Sequence, residues 1–387
     1  MDDTRLYINI KNLANNLNFL KTLKSVKNKK IIAIIKSDAY GHGLLPVAEM
    51  LFKSKIDFFG IIEMEEAENI LKKIPQVKLL MLKGVNLQDL KTAAELNLRI
   101  GVFSLDYLKE LLNRTKSIAI NKILNIHLKF DSGMNRLGLT EKDVEQAIPI
   151  INDNKQYFNV EGLFSHLSSA GNDTEYTKYQ INNFKRITSM LEKNKIIPAY
   201  KHISASSSLL NCEMLEDYSN AVRPGISLYG FNPNTELNNS NGKETGNNIK
   251  LKQLMTLKSK VLQIKKVAKG GFVSYGNTFK ADRDITIAII SAGYDNGIPR
   301  LLSNKGRVLI NGKFAPIIGI ITMNMTMVDI SAIKGVKTGD ETIITGRSGS
   351  REIKIEEIAS LAQTIPYEIC LNFGKSNKKV YAEDGPL

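Results

Sequence analysis

The stretch IIAIIKSDAYGHG, residues 31–43, shows the unit from which the first part of this chain is built. Five apolar residues at 31–35 are followed at once by Lys36, then by a glycine-rich turn and an amphipathic stretch at 44–53. The short apolar run predicts a buried strand, and the amphipathic stretch predicts a helix. The result is a strand–turn–helix unit with a lysine at the carboxyl end of its strand.

Eight such units can be counted in the first 230 residues. The apolar runs lie at 31–35, 58–62, 78–82, 99–103, 124–130, 160–166, 200–205 and 221–228. The predicted helices between or after them lie at 44–53, 63–73, 87–96, 105–114, 141–153, 176–193 and 208–215. Repeated βα units imply a parallel sheet, and eight of them imply a closed (β/α)8 barrel of the TIM type. An open doubly wound sheet is the alternative, although no GxGxxG follows the first strand.

The pattern of polar and apolar residues changes after residue 231. The segment 232–248 is rich in Asn, Gly, Thr and Ser and predicts an exposed linker. Short alternating runs follow, at 255–264, 285–290, 307–310, 315–321, 325–330 and 342–345, with one helix predicted at 355–363. We therefore predict an α/β chain with an N-terminal (β/α)8 TIM barrel over 1–240. A smaller, mostly β C-terminal domain follows over 241–387.

The composition of the 387 residues is that of an ordinary globular protein, with 43% hydrophobic and 24% charged residues. No apolar run approaches the roughly 18–20 residues that span a bilayer, and MDDTRLYINIKN does not read as a signal peptide. The only two cysteines, Cys212 and Cys370, form neither a disulfide framework nor a zinc spacing. We therefore expect a cytoplasmic protein without a metal ion or a membrane partner.

The chain is strongly basic, with 53 Lys and Arg against 39 Asp and Glu, a net charge of +14. The lysines are scattered along the chain, no basic block is interleaved with aromatics, and Trp is absent. This pattern predicts a lysine-rich surface and no nucleic-acid partner. It is compatible with an anionic small substrate or cofactor.

Polar residues stand at several predicted strand ends, where barrel enzymes keep their chemistry. Burial would lower the pKa of Lys36 and make its amine a candidate imine-forming nucleophile. A lysine that merely extends from the strand end to solvent is the equally weighted alternative. Tyr40 follows in the turn, beside Gly41 and Gly43, whose backbone N–H groups suit an anion.

The fifth strand carries polar residues on one face. Alternation places His127, Lys129 and Asp131 together, and Arg136 follows in the loop at the same rim. Inward polar groups are costly unless they are paired or functional. The alternative for His127 and Asp131 is a satisfied polar layer.

The last three strands predict a phosphate site. The sixth run ends at His166, and the serines from Ser206 to Ser208 open a helix after the seventh. Arg223 and Gly225 follow at the eighth run. Phosphates in barrels often bind the loops after strands 7 and 8, so these loops are the expected position.

These motifs resemble the alanine racemases, a barrel-type family of pyridoxal-phosphate enzymes. The resemblance extends from LYINIKNLANN near the start to KKVY near the end. Its most specific tract is AIIKSDAYGHG. The supporting tracts are HLKFDSGMNRLG, FSHLSS, HISASSS, VRPGISLYG, GGFVSYGNTF, GYDNGIPR, GIITMNMTMVDI and IPYEIC.

The resemblance implies a cofactor, pyridoxal 5'-phosphate, bound to Lys36 as an aldimine. Arg223 would donate a hydrogen bond to the pyridine nitrogen and leave it unprotonated, and His166 would lie beside the ring and link to Arg223. The groups implied to hold the phosphate are Tyr40, Ser206, Gly225, Ile226 and Tyr367.

The resemblance also implies the substrate site. Arg136 would contact the substrate carboxylate, and Lys129 occupies a position that is often carbamylated. Met323 would bind the carboxylate through its backbone N–H, and Tyr294 would stand at the entrance. The bulk of Tyr367 would favour alanine over larger amino acids.

The implied reaction interconverts L-alanine and D-alanine and supplies D-alanine for peptidoglycan. Racemisation removes a proton from one face of Cα and returns one to the other, which favours two bases. Lys36 would serve one face and Tyr275 the other, with the phenolate stabilised by a cation such as His166 or Arg136. The resemblance implies a head-to-tail homodimer in which Tyr275 completes the partner's site.

The chain departs from the family pattern mainly at the entrance to the site. Ala205 replaces an Asn before the phosphate serine. The other departures are Ile298 for an aromatic, Ile320 for Arg, Asn324 for Asp, and Gly171 for an Asp that Asp173 would replace. These changes predict a less polar entrance and relaxed selectivity. The alternatives are a racemase of another small amino acid such as serine, a cofactor-free Schiff-base aldolase, and a non-catalytic binding module.

Overall fold

The computed structural model describes residues 4–118, 120, 122–211, 219–233 and 251–382. Most of the predicted linker at 232–248, the end of the predicted helix at 208–215, and Cys212 lie outside these residues. The boundary between residues 240 and 241 also lies outside them, so the predicted domain limits stay a prediction.

The predicted parallel barrel is confirmed. Its strands in chain order are β2 (Lys30–Ile31), β3 (Ala33–Ile34), β4 (Phe58–Ile61), β5 (Lys78–Met81), β6 (Arg99–Val102), β7 (Leu124–Lys129), β8 (Phe158–Phe164), β9 (Tyr200–His202) and β10 (Ala221–Val222). Strands β3 to β9 form one parallel sheet of seven strands. The first predicted run is split, because β2 pairs with β10 while β3 pairs with β4. A bridge between Ala205 and Arg223 joins the seventh and eighth units and closes the ring.

Helices follow the barrel strands as their amphipathic patterns predict. They are α2 (Leu44–Lys53), α3 (Met64–Lys73), α4 (Leu90–Glu95), α5 (Leu105–Ser117), α6 (Glu141–Asn152), α7 (Thr174–Lys193) and α8 (Ser206–Asn211), preceded by α1 (Ile10–Thr22). Helix α6 has a capped start, since the Thr140 hydroxyl accepts a hydrogen bond from the Asp143 N–H.

The eighth predicted strand, 221–228, is wrong beyond residue 222. Ile226–Tyr229 forms a 3₁₀ helix instead of continuing the strand. Pro224 has no N–H to give to a sheet, and Gly225 adopts a φ of −126° with a ψ of −97°, outside the strand region. The apolar run continues because all four residues of the 3₁₀ helix are buried, not because they extend the sheet.

The second domain is mostly β, as predicted. Its strands are β11 (Met255–Val267), β12 (Phe272–Val273), β13 (Phe279–Lys280), β14 (Ile285–Ile290), β15 (Arg307–Ile310), β16 (Lys313–Pro316), β17 (Thr326–Asp329), β18 (Glu341–Ser348), β19 (Arg351–Ile353) and β20 (Lys379–Ala382). The helix predicted at 355–363 is α9 (Ile355–Leu361), and a second helix, α10 (Pro366–Ser376), was not predicted.

The N-terminal strand β1 (Arg5–Asn9) belongs to the second sheet. It runs antiparallel to β11 and parallel to β20. From β1 in the C-terminal sheet, the described chain therefore passes through the barrel and returns to that sheet. Within the described residues, no helix is long and apolar enough to cross a membrane.

Candidate active site

A cavity of about 800 Å³ lies at the carboxyl ends of the barrel strands. The first, fifth, sixth and eighth strands bring their predicted residues to this one rim, as parallel strands in a closed barrel must. The predicted residues that line it are Lys36, Tyr40, Lys129, Arg136, His166, Ser206, Arg223, Gly225, Ile226 and Tyr367. The last of these comes from α10 of the second domain.

Three predicted site residues do not line this cavity. Tyr275, Met323 and Tyr294 lie on the second domain with exposed fractions of 71%, 54% and 43%. One loop joins them: the Ser274 hydroxyl donates to the Ile320 carbonyl over 2.6 Å, and the Tyr294 N–H donates to the Thr322 carbonyl over 3.1 Å. The structure therefore brings these three together on a surface, which we call the Tyr275 patch, and not at the cavity of their own chain.

The cavity is strongly cationic. Five basic side chains line it, and none of the described lining residues is an Asp or Glu. Phe164 and Leu82 add apolar wall. A cation-rich cavity with a hydroxyl cluster and apolar sides fits an aromatic ligand that carries a phosphate. The five basic residues are Lys36, Lys83, Lys129, Arg136 and Arg223.

Lys36 stands where β3 gives way to an unusual turn. The four residues after it, at 37–40, all have φ between 52° and 55°. Burial lowers the pKa of the Lys36 amine, and the nearby Arg136 charge lowers it further, while Glu66 acts weakly the other way. The lysine is therefore a half-buried amine that lines the cavity and not a side chain extended to solvent.

Lys129 is a second amine with a depressed pKa. Burial and the charges of Arg136 and Arg223 lower its pKa to about 8. Its ammonium group lies 5.7 Å from the centre of the Phe164 ring. Asp131, predicted on the same face, shapes the following loop instead, because its Oδ1 accepts hydrogen bonds from the Gly133 and Asn135 N–H groups.

Arg223 is fully enclosed at the floor of the cavity. Its Nη1 donates to the His202 Nδ1 over 2.8 Å, and its Nη2 donates to the carbonyls of Ser165 and Ile203. Burial, followed by the charge of Arg136, lowers its pKa to about 9, so the guanidinium still carries its charge at neutral pH. It contacts neutral acceptors in every one of these bonds.

The contacts of Arg223 continue into a buried chain across four adjacent barrel strands. His202 Nε2 lies 3.0 Å from His127 Nδ1, and His127 Nε2 lies 3.2 Å from Glu161 Oε2. Arg99 Nε donates to the same carboxylate oxygen over 3.0 Å. The satisfied polar layer, one of the two roles considered for His127, is therefore the one observed.

His166 is not a cation in this site. Burial and the charge of Arg223 lower its pKa to about 3, so the ring is neutral at pH 7. Its Nδ1 lies 3.4 Å from the Arg223 Nη2, which confirms the predicted link between the two residues. The expectation that His166 would stabilise a phenolate by its charge is wrong for this environment, because four cations surround it. Arg136 remains available for that role.

Ser206 ties the loops after the seventh and eighth strands together. Its hydroxyl oxygen accepts from the Gly225 N–H over 2.9 Å and from the Ser227 N–H over 3.2 Å. A β-carbon at Gly225 would lie 2.7 Å from the Tyr40 hydroxyl, so only glycine lets the two approach. The ring centres of Tyr40 and Tyr367 are 5.9 Å apart. This cradle lies where the sequence predicts the phosphate.

Two contributions to the site were missed from the sequence. Lys83 lines the cavity and its ammonium group lies 2.7 Å from the Glu63 carboxylate. It directly follows the apolar run at 78–82, the same signal that identified Lys36. His202 and Glu161 were missed because their role depends on pairing between neighbouring strands, which no local pattern reveals.

The residues that depart from the family pattern at the entrance to the site lie in different surroundings. Ile298 is buried, and Ile320 is half-buried beside the Ser274 hydroxyl. Gly171 has a φ of +89°. Asp173 caps helix α7, because its Oδ1 accepts from the Tyr176 N–H over 2.9 Å, so this carboxylate already has a structural use.

The fold and the cavity define a class: a two-domain enzyme whose barrel holds a half-buried lysine in a cavity lined by cations. Family models agree in detail. The model described as alanine racemase, N-terminal domain, matches residues 8–233, and that described as alanine racemase, C-terminal domain, matches residues 254–381. The chain belongs to the alanine racemase family.

Individual relatives resemble the chain over its whole length. An alanine racemase of Clostridium novyi (strain NT) is 34% identical over 384 residues, 98% of this chain and 95% of that protein. The crystal structure of alanine racemase from Bacillus anthracis with bound L-Ala-P has a TM-score of 0.87 at 27% identity, covering 100% and 96% of the two chains. That from Bartonella henselae with covalently bound pyridoxal phosphate has a TM-score of 0.84 at 26% identity, covering 99% and 100%.

Proposed function

We propose that this protein interconverts L-alanine and D-alanine with pyridoxal 5'-phosphate held in the barrel cavity. The observation that carries the proposal is a half-buried amine with a lowered pKa, Lys36, in a cavity of five basic side chains without a carboxylate among its described lining residues. The alanine racemase family places this arrangement in an isomerase and removes the reason to prefer a cofactor-free aldolase. Its product, D-alanine, would serve peptidoglycan synthesis.

The cavity fits the cofactor at each end. Tyr40, Ser206 and the backbone of Gly225 and Ile226 would hold the phosphate in the hydroxyl-rich cradle, with Tyr367 closing it. Arg223 would donate to the pyridine nitrogen from the cavity floor. When bound, pyridoxal phosphate supplies an electron sink that acidifies the proton on the substrate Cα.

Lys36 would take and return a proton on one face of the substrate. A base must be neutral to accept a proton, and burial with the Arg136 charge lowers the pKa of this amine toward the working pH. Arg136, at the rim, would bind the substrate carboxylate as a charge-assisted pair.

Lys129 would support Arg136 if it carried a carbamate. Carbon dioxide reacts only with a neutral amine, and with a pKa of about 8 roughly a tenth of Lys129 is neutral at pH 7. A carbamate would convert a repelling cation next to Arg136 into an attracting anion. Mass analysis under native conditions would detect this modification directly.

The second base is proposed to come from another chain. Tyr275 is largely exposed and does not line the cavity of its own chain. We propose a homodimer in which the Tyr275 patch of one protomer covers the cavity of the other. Met323 and Tyr294 would then reach the substrate and the entrance of that cavity, and Tyr275 would serve the opposite face of Cα.

Proton nuclear magnetic resonance in ²H₂O tests the function directly. Loaded enzyme given L-alanine should replace the Cα proton with deuterium and produce D-alanine, which a D-amino-acid oxidase assay detects. Serine offered at the same concentration should react more slowly, which separates the alternative substrate. Absence of both exchange and D-alanine in protein that carries the cofactor would overturn the proposal.

A further inference from the structure

The turn that carries Lys36 and Tyr40 is held in an unfavourable backbone conformation. Ser37, Asp38, Ala39 and Tyr40 all lie in the left-handed region, with φ between 52° and 55°. Side chains of L-residues disfavour this region, and consecutive residues in it are rare. The left-handed turn, residues 37–40, therefore persists only because its surroundings hold it.

Asp38 connects the turn to the elements around it. Its Oδ1 accepts a hydrogen bond from the Leu44 N–H over 2.7 Å, at the first turn of α2. Its carbonyl accepts from the Gly43 N–H over 2.9 Å. Its other carboxylate oxygen, Oδ2, is left for a partner outside the barrel.

That partner is Lys379 of strand β20. Its ammonium group lies 2.9 Å from Asp38 Oδ2 and also donates to the Gly374 carbonyl over 2.7 Å. Lys379 thus joins the barrel turn to the end of α10 in the second domain. The side chain is only 19% exposed, against 50% for Asp38.

The surrounding backbone leaves the turn little room. A β-carbon at Gly374 would lie 2.2 Å from the Gly41 carbonyl oxygen, and one at Gly41 would lie 2.6 Å from the Cys370 carbonyl oxygen. A β-carbon at Gly43 would lie 1.8 Å from the Tyr381 hydroxyl. Helix α10 and the Tyr381 side chain of strand β20 therefore lie directly against Gly41 and Gly43, the glycines that follow the turn.

We propose that Lys379 is a positioning residue for the active site: its ion pair with Asp38 holds the left-handed turn and so fixes Lys36 and Tyr40 at the cavity rim. The inference rests on the proposed function, since it gives the turn a purpose only if the cavity holds the cofactor. Lys379 itself would touch neither cofactor nor substrate.

A matched ion pair elsewhere in the chain makes the test specific. Lys258 and Glu341 lie 3.1 Å apart with exposed fractions of 17% and 56%, close to those of the Lys379–Asp38 pair. Lys379→Met and Lys258→Met therefore remove similar ion pairs from different places. Lys379→Arg keeps the charge, and Asp38→Asn keeps the Oδ1 acceptor while removing the charge.

Two measurements on the full chain decide the proposal. The first titrates cofactor-free protein with pyridoxal phosphate by visible absorbance. We expect Lys379→Met to raise the dissociation constant about fivefold, Lys258→Met to leave it within about twofold, and Lys379→Arg to restore it. The second measures amide hydrogen exchange in peptides spanning residues 36–44, where only Lys379→Met and Asp38→Asn should accelerate exchange.

The Asp38→Asn variant breaks the same ion pair from the other side and so keeps the test open if Lys379→Met fails to fold. The double variant should have a dissociation constant and an exchange rate no higher than those of either single variant. Equal effects of Lys379→Met and Lys258→Met on both measurements would overturn the positioning role. Failure of the wild-type protein to bind pyridoxal phosphate would overturn the proposed function instead, while exchange at 36–44 would still decide whether Lys379 holds the turn.

Discussion

At the scale of single residues, the series of side-chain hydrogen bonds that links Glu161 to Arg223 has only one consistent arrangement of protons. Arg223 can only donate, so His202 Nδ1 must accept and His202 Nε2 must carry the hydrogen. His127 then accepts at Nδ1 and donates from Nε2 to Glu161, which accepts as a carboxylate. A buried anion is thus linked to the buried cation through two neutral rings.

The variant Glu161→Gln tests this series of hydrogen bonds through the pH dependence of the protein's stability. Burial alone would raise the carboxyl pKa, but hydrogen bonds from His127 and Arg99 outweigh it and lower the pKa to about 2. Because the carboxyl pKa is lower in the fold than its ordinary value of 4.5, Glu161 stabilises the fold fully at pH values above 4.5. That stabilisation is lost as the pH falls from 4.5 toward 2. We expect the variant to be less stable by on the order of 2 kcal/mol at pH 7.

Urea unfolding at pH 7, 5, 4 and 3 measures the effect. The difference between wild type and Glu161→Gln should hold above pH 5 and shrink below pH 4.5. A difference that stays constant down to pH 3 would mean that Glu161 is not held as a paired carboxylate.

Lys36 gives the sharpest chemical prediction. The family resemblance assigns the covalent bond with the cofactor to Lys36, and burial and Arg136 lower the pKa of its amine, as an imine-forming lysine requires. Borohydride reduction of loaded protein followed by peptide mapping should place the label on the peptide that contains Lys36. Lys36→Ala should take up no label, and a label on Lys129 or Lys83 would show that the site is assigned to the wrong amine.

Individual site residues were predictable from sequence where they stand at the end of a predicted strand. Lys36, Lys129 and His166 follow or end apolar runs, so the barrel argument alone directs them to one rim. The neutral state of His166 was not predictable, because it follows from burial among four cations that converge only in three dimensions. Lys83 carried the same strand-end signal and was overlooked.

At the scale of elements, helix α10 lies against Gly41, the residue that follows the left-handed turn, and leaves no room for a β-carbon at Gly374. Gly374 lies inside this helix without a positive φ, so Ala would be favoured there by helix propensity alone. The β-carbon would nevertheless meet the Gly41 carbonyl at 2.2 Å. We expect Gly374→Ala to cost about 1–3 kcal/mol by overpacking, measured by urea unfolding. Lys375→Ala, exposed in the same helix, should change stability little, and a neutral Gly374→Ala would show that the contact is loose.

The entrance loops yield a prediction about selectivity. Ile320 lies next to the turn that carries Tyr275, where the family pattern has an arginine. We expect Ile320→Arg to raise the kcat/KM ratio for alanine over serine about threefold, because a charged entrance discriminates more strongly between polar groups. Asp at position 171 is a poorer test, since that residue has a φ of +89°. An unchanged ratio in Ile320→Arg would place selectivity elsewhere.

Strands and helices were predictable from sequence where their apolar residues follow a regular spacing. All eight barrel units were located from apolar runs, and the strand at 285–290 was found with its observed limits. The left-handed turn and helix α10 were not found. The turn has no periodicity, and its conformation is imposed by Lys379 and α10 rather than by local sequence.

At the scale of the whole molecule, the chain returns to its starting sheet to build the site. Strand β1 pairs with β20, and α10, which precedes β20, brings Tyr367 to the barrel cavity. No local pattern indicates this contribution, and only the family resemblance predicted Tyr367. The same organisation leaves Tyr275, Tyr294 and Met323 on a surface away from their own cavity.

In the proposed homodimer, one active site combines Lys36 of one chain with Tyr275 of another. Lys36→Ala and Tyr275→Phe should each be nearly inactive alone. In a mixed dimer one site inherits both defects and the other inherits neither. At equal amounts and random pairing about half the dimers are mixed, so activity should recover to about a quarter of wild type.

Racemase activity is measured during subunit exchange between these two variants, with the mixed dimer verified by native mass spectrometry. If the site is shared, activity rises with the mixed species toward about a quarter of wild type. Mixed dimers that form and stay as inactive as the separate variants would show that both bases come from one chain.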